Sequence, residues 1–168
     1  MIRDAVKADY EMLAALAESV ANIHYAARPD VFKPPAIGED NCFHGKENYF
    51  DMLQRDEVMI FVYEESTPDD SKGEILGFCH LDFYDYGEDH PVYKDVVVCN
   101  LTSMAVVEKA QRRGIGKALL QHAKERAIEC GAERLVLSVW PFNESARALY
   151  ESAGLSVLYT QMEWKLGD

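Results

Sequence analysis

The chain has 168 residues, 48% of them hydrophobic and 11% aromatic, with no internal repeat or low-complexity tract. This length and composition predict one globular domain, residues 1–168, and argue against a disordered or fibrous protein. The formal net charge of -12 argues against nucleic acid as a partner, because a phosphate backbone is bound by basic surface. The acidic surplus slightly favours a cationic or amine-bearing substrate.

The sequence also argues against a secreted or membrane protein. Residues 1–9 are rich in charge and lack the apolar stretch of a signal peptide. No apolar run approaches the roughly 18 residues that span a bilayer. Cys42, Cys79, Cys99 and Cys130 form no C-x-x-C pair, so we expect reduced, mostly packed thiols and no zinc or other metal site. The expectation is a soluble, cytoplasmic protein that contacts no membrane.

The first half of the chain predicts a strand, two helices and a hairpin. A short strand at residues 2–6 precedes a helix that Asp9 caps and Arg28-Pro29 ends, since its apolar residues recur at helical spacing. A second short helix is predicted at residues 46–55. Strand-like runs at 58–63 and 74–83 flank a polar segment with Pro and Gly, which predicts an antiparallel pair joined by a loop at 64–73.

In the second half, strands alternate with helices. A loop at residues 84–95 leads to a valine-rich strand at 96–107, typical of a buried central strand. A helix at 114–130 with Gly131 as its left-handed C-cap precedes a strand at 134–139. Asn143 caps a helix that Gly154 closes, and residues 155–166 supply a final strand or strand pair. The element order predicts an α/β or α+β fold, a mixed sheet covered by helices.

A candidate phosphate-binding loop connects the strand at 96–107 to the helix at 114–130. Glycines let a backbone approach a phosphate closely, and the free N–H groups and positive dipole of a helix start favour its charge. Three basic side chains add positive charge in an otherwise acidic chain. A tight turn with solvated charges is the alternative. The loop sequence is Gln111-Arg112-Arg113-Gly114-Ile115-Gly116-Lys117.

Two commoner phosphate motifs do not match this loop. A Walker A motif would need glycine in place of Gln111 and serine or threonine in place of Ala118. A dinucleotide fingerprint that starts at Gly114 would need a third small residue in place of Leu119. The class of the loop therefore depends on its context in the chain.

Two ordered motifs supply that context. Met104-Ala105-Val106 and the glycine loop precede the segment NESARALYESAGL at residues 143–155. Together they resemble the GNAT superfamily of acyl-CoA-dependent N-acetyltransferases. In that superfamily Q/R-x-x-G-x-G/A precedes the pyrophosphate-binding helix, and a later N-x-x-A…Y helix ends in G-[FL]. The resemblance covers the whole chain through the element order, is strong over residues 96–166 and is coarse over residues 1–60.

The resemblance implies a single-domain mixed sheet, splayed between its fourth and fifth strands and flanked by helices, with acetyl-CoA as cosubstrate. The backbone of one triplet would line the thioester and the pantetheine arm: Met104, Ala105 and Val106. Two residues would contact the pantetheine from the other side: Asn143 and Ala146. The glycine loop would hold the pyrophosphate through Gln111, Arg112, Arg113, Gly114, Ile115, Gly116 and Lys117.

The resemblance also places Tyr150 near the sulfur of the cosubstrate, as the catalytic candidate. Asn143 and Tyr150 lie two helical turns apart and project from similar faces of one helix. A phenol titrates near pH 10, at about the model-compound value, so at neutral pH it is protonated and can donate its proton to a departing thiolate. Outside this motif a core aromatic with a satisfied hydroxyl is the commoner role.

The general base for the amine stays open. Many members of the superfamily carry a carboxylate on the fourth strand just before the apolar triplet, where this chain has Asn100-Leu101-Thr102-Ser103. His80 and Asp82 are substitutes, because alternate positions on the preceding strand share one face. His24 on the first helix is another. Such residues are more often packed or solvated, and an amine that arrives partly neutral needs no base.

The resemblance implies N-acetyl transfer from acetyl-CoA to a primary amine, and we expect direct attack with a backbone N–H of the fourth strand holding the oxyanion. A covalent route through Cys79 or Cys99 is disfavoured, because nothing in the sequence places a histidine beside either thiol. The alternative is a non-catalytic acyl-CoA-binding or sensing module, which the missing carboxylate favours. The acceptor, a small-molecule or peptide amine, stays open, as do the acyl length and a homodimeric state.

Overall fold

The structure of the chain is a computed structural model that describes residues 1–35, 43–67, 70–92 and 94–166. Cys42 lies outside these residues. The chain forms two compact units, Met1–Ser138 and Val139–Asp168. One domain over residues 1–168 stays a prediction. Across the described ranges, every helix is too short or too polar to cross a membrane.

A mixed sheet forms the centre of the first unit, and its described strands follow the order β1-β2-β3-β4-β5. The first four strands pair antiparallel, and β5 pairs parallel to β4. The predicted α/β fold, a mixed sheet flanked by helices, is confirmed. The strands are β1 Ile2–Asp4, β2 Val58–Thr67, β3 Asp70–Asp85, β4 Val97–Val106 and β5 Arg134–Leu137. The helices are α1 Tyr10–Ala27, α2 Lys46–Met52 and α3 Ile115–Glu129 in the first unit, and α4 Glu144–Ser152 in the second.

Helices cover both faces of the sheet. The apolar side of α1, which includes Leu13 and Leu16, is buried in a core that contains Val62 of β2. The neighbouring Phe61 instead meets the ring of His122 on α3, with 4.8 Å between ring centroids. Because adjacent strand residues point to opposite faces, α1 and α3 lie on opposite sides of the sheet.

The hairpin of β2 and β3 is longer than the sequence predicts. The predicted loop at residues 64–73 is wrong over its described part, because pairing continues through Glu65 and Glu74 and the strands reach Thr67 and Asp70. A register shift after Tyr63 accompanies the change from the apolar to the polar part of the hairpin. Polar composition therefore marks the exposed end of two paired strands.

Asp9 occupies the predicted N-cap position of α1, but its side chain makes no capping hydrogen bond to this helix. A 3-10 turn at Lys7–Asp9 precedes α1 and places Asp9 itself in helical backbone conformation, with φ -86° and ψ -10°. Its buried carboxylate accepts hydrogen bonds from Arg3 Nη1 at 2.7 Å, Arg3 Nη2 at 3.1 Å and the Val6 backbone N–H at 2.8 Å. Asp9 therefore ties β1 to the start of α1 through an ion pair.

The second unit contains α4, and its predicted cap is confirmed. Asn143 Oδ1 accepts a hydrogen bond from the Ala146 backbone N–H at 3.3 Å. Gly154 follows the helix at φ 94°, the left-handed conformation that closes a helix. The strand predicted at residues 155–166 is wrong, since the described residues there have no strand conformation. An alternating apolar pattern becomes a strand only when a partner supplies backbone hydrogen bonds.

Candidate active site

The predicted phosphate loop is a turn that leads directly into α3. Gly114 is the N-cap of this helix, at φ 86° and ψ -1°. The first helical hydrogen bond runs from the Ala118 N–H to the Gly114 carbonyl at 3.0 Å. The amides of Ile115, Gly116 and Lys117 precede it, and such N–H groups have no acceptor within their own helix. The start of α3 can therefore donate several backbone hydrogen bonds to an anion.

Close packing on β3 fixes the position of α3. A Cβ atom added at Gly77 of β3 would lie 2.8 Å from the Ala105 carbonyl oxygen and 3.1 Å from Leu119 Cδ1. Glycine is thus required where α3 approaches the sheet. The start of the helix is held beside the carboxyl end of β4, because Gly77 pairs with Val106 near the end of that strand.

Arg113 of the loop and Lys109 before it pair with carboxylates of the β2–β3 hairpin. Arg113 Nη2 donates to Glu65 Oε1 at 2.5 Å, between side chains that are 48% and 41% exposed. Lys109 forms a second ion pair with Glu74. Neither partner was found from the sequence: Glu65 lies in the segment predicted to be a loop, whereas Glu74 begins the predicted strand at residues 74–83. An exposed pair of this kind is weak, so an anion with more charge can replace its carboxylate.

The predicted triplet Met104, Ala105 and Val106 occupies the last positions of β4. On one side, Met104 pairs with Cys79 and Ala105 pairs with Phe78 of β3. On the other side, β5 pairs with β4 only as far as Leu101. The triplet therefore lies beyond the part of β4 that pairs with β5. This agrees with the splay expected between the fourth and fifth strands, and it leaves backbone polar groups of β4 for other partners.

The remaining predicted site residues lie on the second unit. Asn143 caps α4, Ala146 donates to that cap, and Tyr150 lies further along the same helix. The structure thus brings the triplet and the glycine loop together in the first unit, and Asn143, Ala146 and Tyr150 together in the second. Their roles toward acetyl-CoA stay predictions.

Two of the candidate bases belong to a polar cluster on β3 and β4. His80 Nε2 donates to Asp82 Oδ1 at 3.3 Å, and His80 is 2% exposed. Thr102 donates to Asp82 Oδ2 and accepts from Asn100 Nδ2 at 2.8 Å. Burial on its own would raise the pKa of Asp82, but hydrogen bonds from His80 and Thr102 outweigh it and lower the pKa. The carboxylate is therefore ionised at neutral pH.

A bulge in β4 builds this cluster. His80 pairs with Ser103 and Leu81 pairs with Leu101, so Thr102 is an extra residue on β4. The sequence signal for His80 and Asp82 was their alternate spacing, which places both on one face. Thr102 was missed as their partner, because its register depends on the bulge. The third candidate base, His24, instead donates through Nδ1 to the Val20 carbonyl on α1 at 2.9 Å, since a carbonyl can only accept.

Two of the three described cysteines are packed thiols. Cys79 and Cys99 are buried and unbonded, whereas Cys130 is exposed. Burial raises the pKa of the Cys79 thiol far above its ordinary range and that of Cys99 to about 12. Both thiols are therefore protonated at neutral pH and are poor nucleophiles. Over the described ranges, no group of three or more His, Cys, Asp or Glu residues is arranged to hold a metal ion.

The fold and the loop define an α/β protein with a glycine turn and free helix-start amides at the end of a central strand. The family model of the acetyltransferase (GNAT) family matches residues 18–155, most of the chain. The chain belongs to this family, whose enzymes use acetyl-CoA as a cosubstrate. The family predicted from the sequence is confirmed.

Individual relatives agree with the family assignment. The uncharacterised N-acetyltransferase YhfO of Bacillus subtilis is 32% identical over 105 residues, 61% of each chain. An uncharacterised N-acetyltransferase from the pepI 3' region of Lactobacillus delbrueckii subsp. lactis is 31% identical over 96 residues, 57% of this chain and 53% of the relative. The chain thus spans 53% to 61% of the length of these curated relatives.

A solved structure shares this fold. A mutant of the BH1408 protein from Bacillus halodurans superposes with a TM-score of 0.85 and covers 99% of both chains. Its sequence is 21% identical to this one, so the likeness shows the fold alone.

Proposed function

We propose that the chain binds acetyl-CoA at the loop before α3 and transfers the acetyl group to a primary amine. Membership of the acetyltransferase family supports acetyl transfer in general. The observation that carries the proposal is the start of α3, where Gly114 turns the chain and three amides precede the first helical hydrogen bond. Arg113 and Lys117 add positive charge beside those amides. A pyrophosphate matches this combination of donors, dipole and charge.

The other predicted residues would contact the rest of the cosubstrate, from the pantetheine arm to the sulfur. The backbone of Met104, Ala105 and Val106 would line the thioester and the pantetheine, at the part of β4 beyond its ladder with β5. Asn143 uses its amide oxygen for the cap of α4. Its Nδ2 group is a donor suited to a pantetheine carbonyl, as expected for a residue that contacts this arm.

In the proposed reaction the amine attacks the thioester carbonyl directly. A new N–C bond forms and the C–S bond breaks, while the amine gives one proton to a base. The departing thiolate takes one proton from Tyr150, which regains it from solvent. A backbone N–H of β4 holds the oxyanion. The buried, protonated state of Cys79 and Cys99 supports this route over an acyl-cysteine.

The acceptor is proposed as a small-molecule or peptide amine. The net charge of -12 favours a cationic acceptor through its long-range field. A second candidate function is a non-catalytic acyl-CoA-binding or sensing module. It is favoured by the side chains of Asn100, Leu101, Thr102 and Ser103 on β4, where many family members carry a carboxylate.

Calorimetry and a thiol-release assay test the proposal together. Acetyl-CoA should bind the purified protein, and CoA thiol should appear when polyamines, amino sugars, amino acids and short peptides are supplied, with the acetylated amine identified by mass spectrometry. Binding without turnover across the panel would favour the sensing module. The absence of binding at millimolar acetyl-CoA would overturn the proposed function.

A further inference from the structure

His80 presents an unused lone pair inside the first unit. Its ring is 2% exposed, and its Nε2 bonds to Asp82 Oδ1 at 3.3 Å. Nδ1 is buried without a hydrogen-bond partner in the described part of the chain. Buried polar atoms almost always have a partner, so a lone unsatisfied one points to a group that the structure does not contain.

The partner of Nε2 fixes the tautomer of the ring. An ionised carboxylate only accepts hydrogen bonds, so the proton of neutral His80 lies on Nε2. The lone pair then lies on Nδ1, and the missing partner must be a donor. A carboxylate that orients a histidine in this way also stabilises the imidazolium that forms when the ring takes a proton.

His80 and Asp82 lie on β3, next to β4, the strand that is proposed to line the thioester. His80 pairs with Ser103, the residue before Met104. Residues directly opposite on antiparallel strands have Cβ atoms about 5 Å apart, so the imidazole is one residue from the proposed reaction centre. The extra residue Thr102 reaches Asp82 from the same strand. The bulge in β4 thus connects the lining strand to the histidine.

We propose that His80 takes the proton of the acceptor amine through Nδ1, with Asp82 as its positioning residue and Thr102 holding Asp82. The inference rests on the proposed function and names its base. When the N–C bond forms and the C–S bond breaks, the amine proton moves to Nδ1. The imidazolium then releases this proton to solvent, and the thiolate is protonated separately. The ligand class is a primary amine, the kind of donor that Nδ1 lacks.

Other groups around the pair are few among the described residues. Asp82 interacts electrostatically with Arg55 before β2 and with Tyr84 on β3. On the face of the sheet that α1 covers, 6.1 Å separates the ring centroids of Phe43 and His80. On the neighbouring strand β2, Ile60 pairs with His80. Since these last two neighbours are apolar, Asp82 is the group that stabilises a charge on His80.

Nitrogen NMR of histidine-labelled protein tests the proposal without turnover. In the free protein the neutral form of the His80 ring should carry its proton on Nε2. Propylamine, added in the presence of CoA, should shift the His80 Nδ1 resonance, while His122 on α3 serves as the control and stays constant. A proton on Nδ1 in the free protein, or an Nδ1 resonance that ignores saturating propylamine, would overturn the proposal.

Kinetics with propylamine give the second test. His80→Gln should lower kcat/KM about 10²–10⁴-fold and change the low-pH limb of the pH profile, leaving the part that deprotonation of propylamine itself sets, with acetyl-CoA affinity unchanged. His122→Gln should match the wild type. Asp82→Asn should also lose activity, and Asp82→Glu should recover part of it. An unchanged pH profile in folded His80→Gln protein would contradict the role of His80 as the base. If the wild type does not bind acetyl-CoA, the proposed function itself is wrong.

Discussion

Arg113 on the loop before α3 donates to Glu65 near the end of β2, with 2.5 Å between Nη2 and Oε1. In the proposed complex a phosphate of CoA takes the place of this carboxylate. Arg113→Ala should therefore weaken CoA about 10–100-fold, as expected for one charged hydrogen bond of roughly 1.5–3 kcal/mol. Calorimetry with CoA and with pantetheine, which has no pyrophosphate, measures the difference.

A matched arginine on the same helix controls for lost charge. Arg126 also pairs with an exposed carboxylate, Glu129, at 2.5 Å, but at the other end of α3. Arg126→Ala should leave CoA affinity unchanged. Glu65→Gln should raise it a few-fold, because the competing carboxylate is removed. Equal losses of CoA and pantetheine affinity in Arg113→Ala would show that Arg113 does not hold phosphate.

The two left-handed glycines that flank α3 give a second prediction. Gly114 at φ 86° and Gly131 at φ 75° have no neighbouring atom within 4 Å of an added Cβ, so a side chain at either position costs mainly backbone strain. Gly114→Val should abolish the increase in melting temperature that acetyl-CoA causes. At 100 times its dissociation constant this ligand adds about 2.7 kcal/mol to stability. Thermal melts with and without acetyl-CoA measure the effect.

Gly131→Val is the control for this strain, because it lies at the opposite end of the helix. It should lower the melting temperature to a similar degree and keep the response to acetyl-CoA. If both variants keep the response, the backbone of the loop does not bind the cosubstrate.

Features governed by local rules were predictable from the sequence. Asn143, Gly131 and Gly154 each act within one turn of a helix end, and all three have the expected role. Asp9 has the predicted N-cap position, but its side chain does not cap α1 because Arg3 on a separate strand binds the carboxylate. The strand predicted at residues 155–166 is wrong because a strand needs a pairing partner, which the pattern of one segment does not reveal.

In the candidate site too, local features were predictable from the sequence, whereas partners on other strands were not. Period-two spacing placed His80 and Asp82 on one face, but the link from Asp82 to Thr102 depends on an extra residue in β4. The loop before α3 was evident from Gly114 and its basic neighbours. Its carboxylate partner Glu65 was hidden, because polar composition alone does not separate a loop from the exposed end of a hairpin.

An ion-pair network between β1, β2 and the start of α1 gives a third prediction. Arg3 donates to buried Asp9 at 2.7 Å and to Glu64 at 2.8 Å. Arg3→Met should destabilise the protein by roughly 3 kcal/mol, near the lower end for a broken buried pair, because Arg3 itself is 27% exposed. Urea unfolding measures it. Arg147→Met, which removes an exposed pair with Glu151, should cost at most about 1 kcal/mol.

The same network predicts the direction of a pH effect. The hydrogen bond from Arg3 holds the pKa of Glu64 below its ordinary value of 4.5. Glu64 therefore contributes stability that is present above pH 4.5 and is lost as the pH falls through the lower pKa of the folded state. The stability of Arg3→Met should fall less steeply in this acid range than that of the wild type. Parallel curves would show that the ion pair does not set the pKa.

The last prediction concerns Tyr150 on α4 and its proposed proton transfer to the departing thiolate. Tyr150→Phe keeps the ring and deletes the donor, so acetyl-CoA affinity should change little. Turnover should fall about 10–100-fold, the low end for acid catalysis, because a thiolate is already a fair leaving group. Steady-state kinetics with the best amine of the panel measures the loss, and Tyr63→Phe on β2 should behave as the wild type.

The pH dependence separates proton donation by Tyr150 from packing. If the phenol is the acid, the wild type loses activity at high pH as the phenol ionises, since an ionised phenol has no proton to give. The Tyr150→Phe variant should lack this decline and keep the low-pH limb, which reports deprotonation of the amine or of its base. A folded variant with full activity on a proven amine substrate would leave Tyr150 a packing residue and assign protonation of the thiolate to solvent.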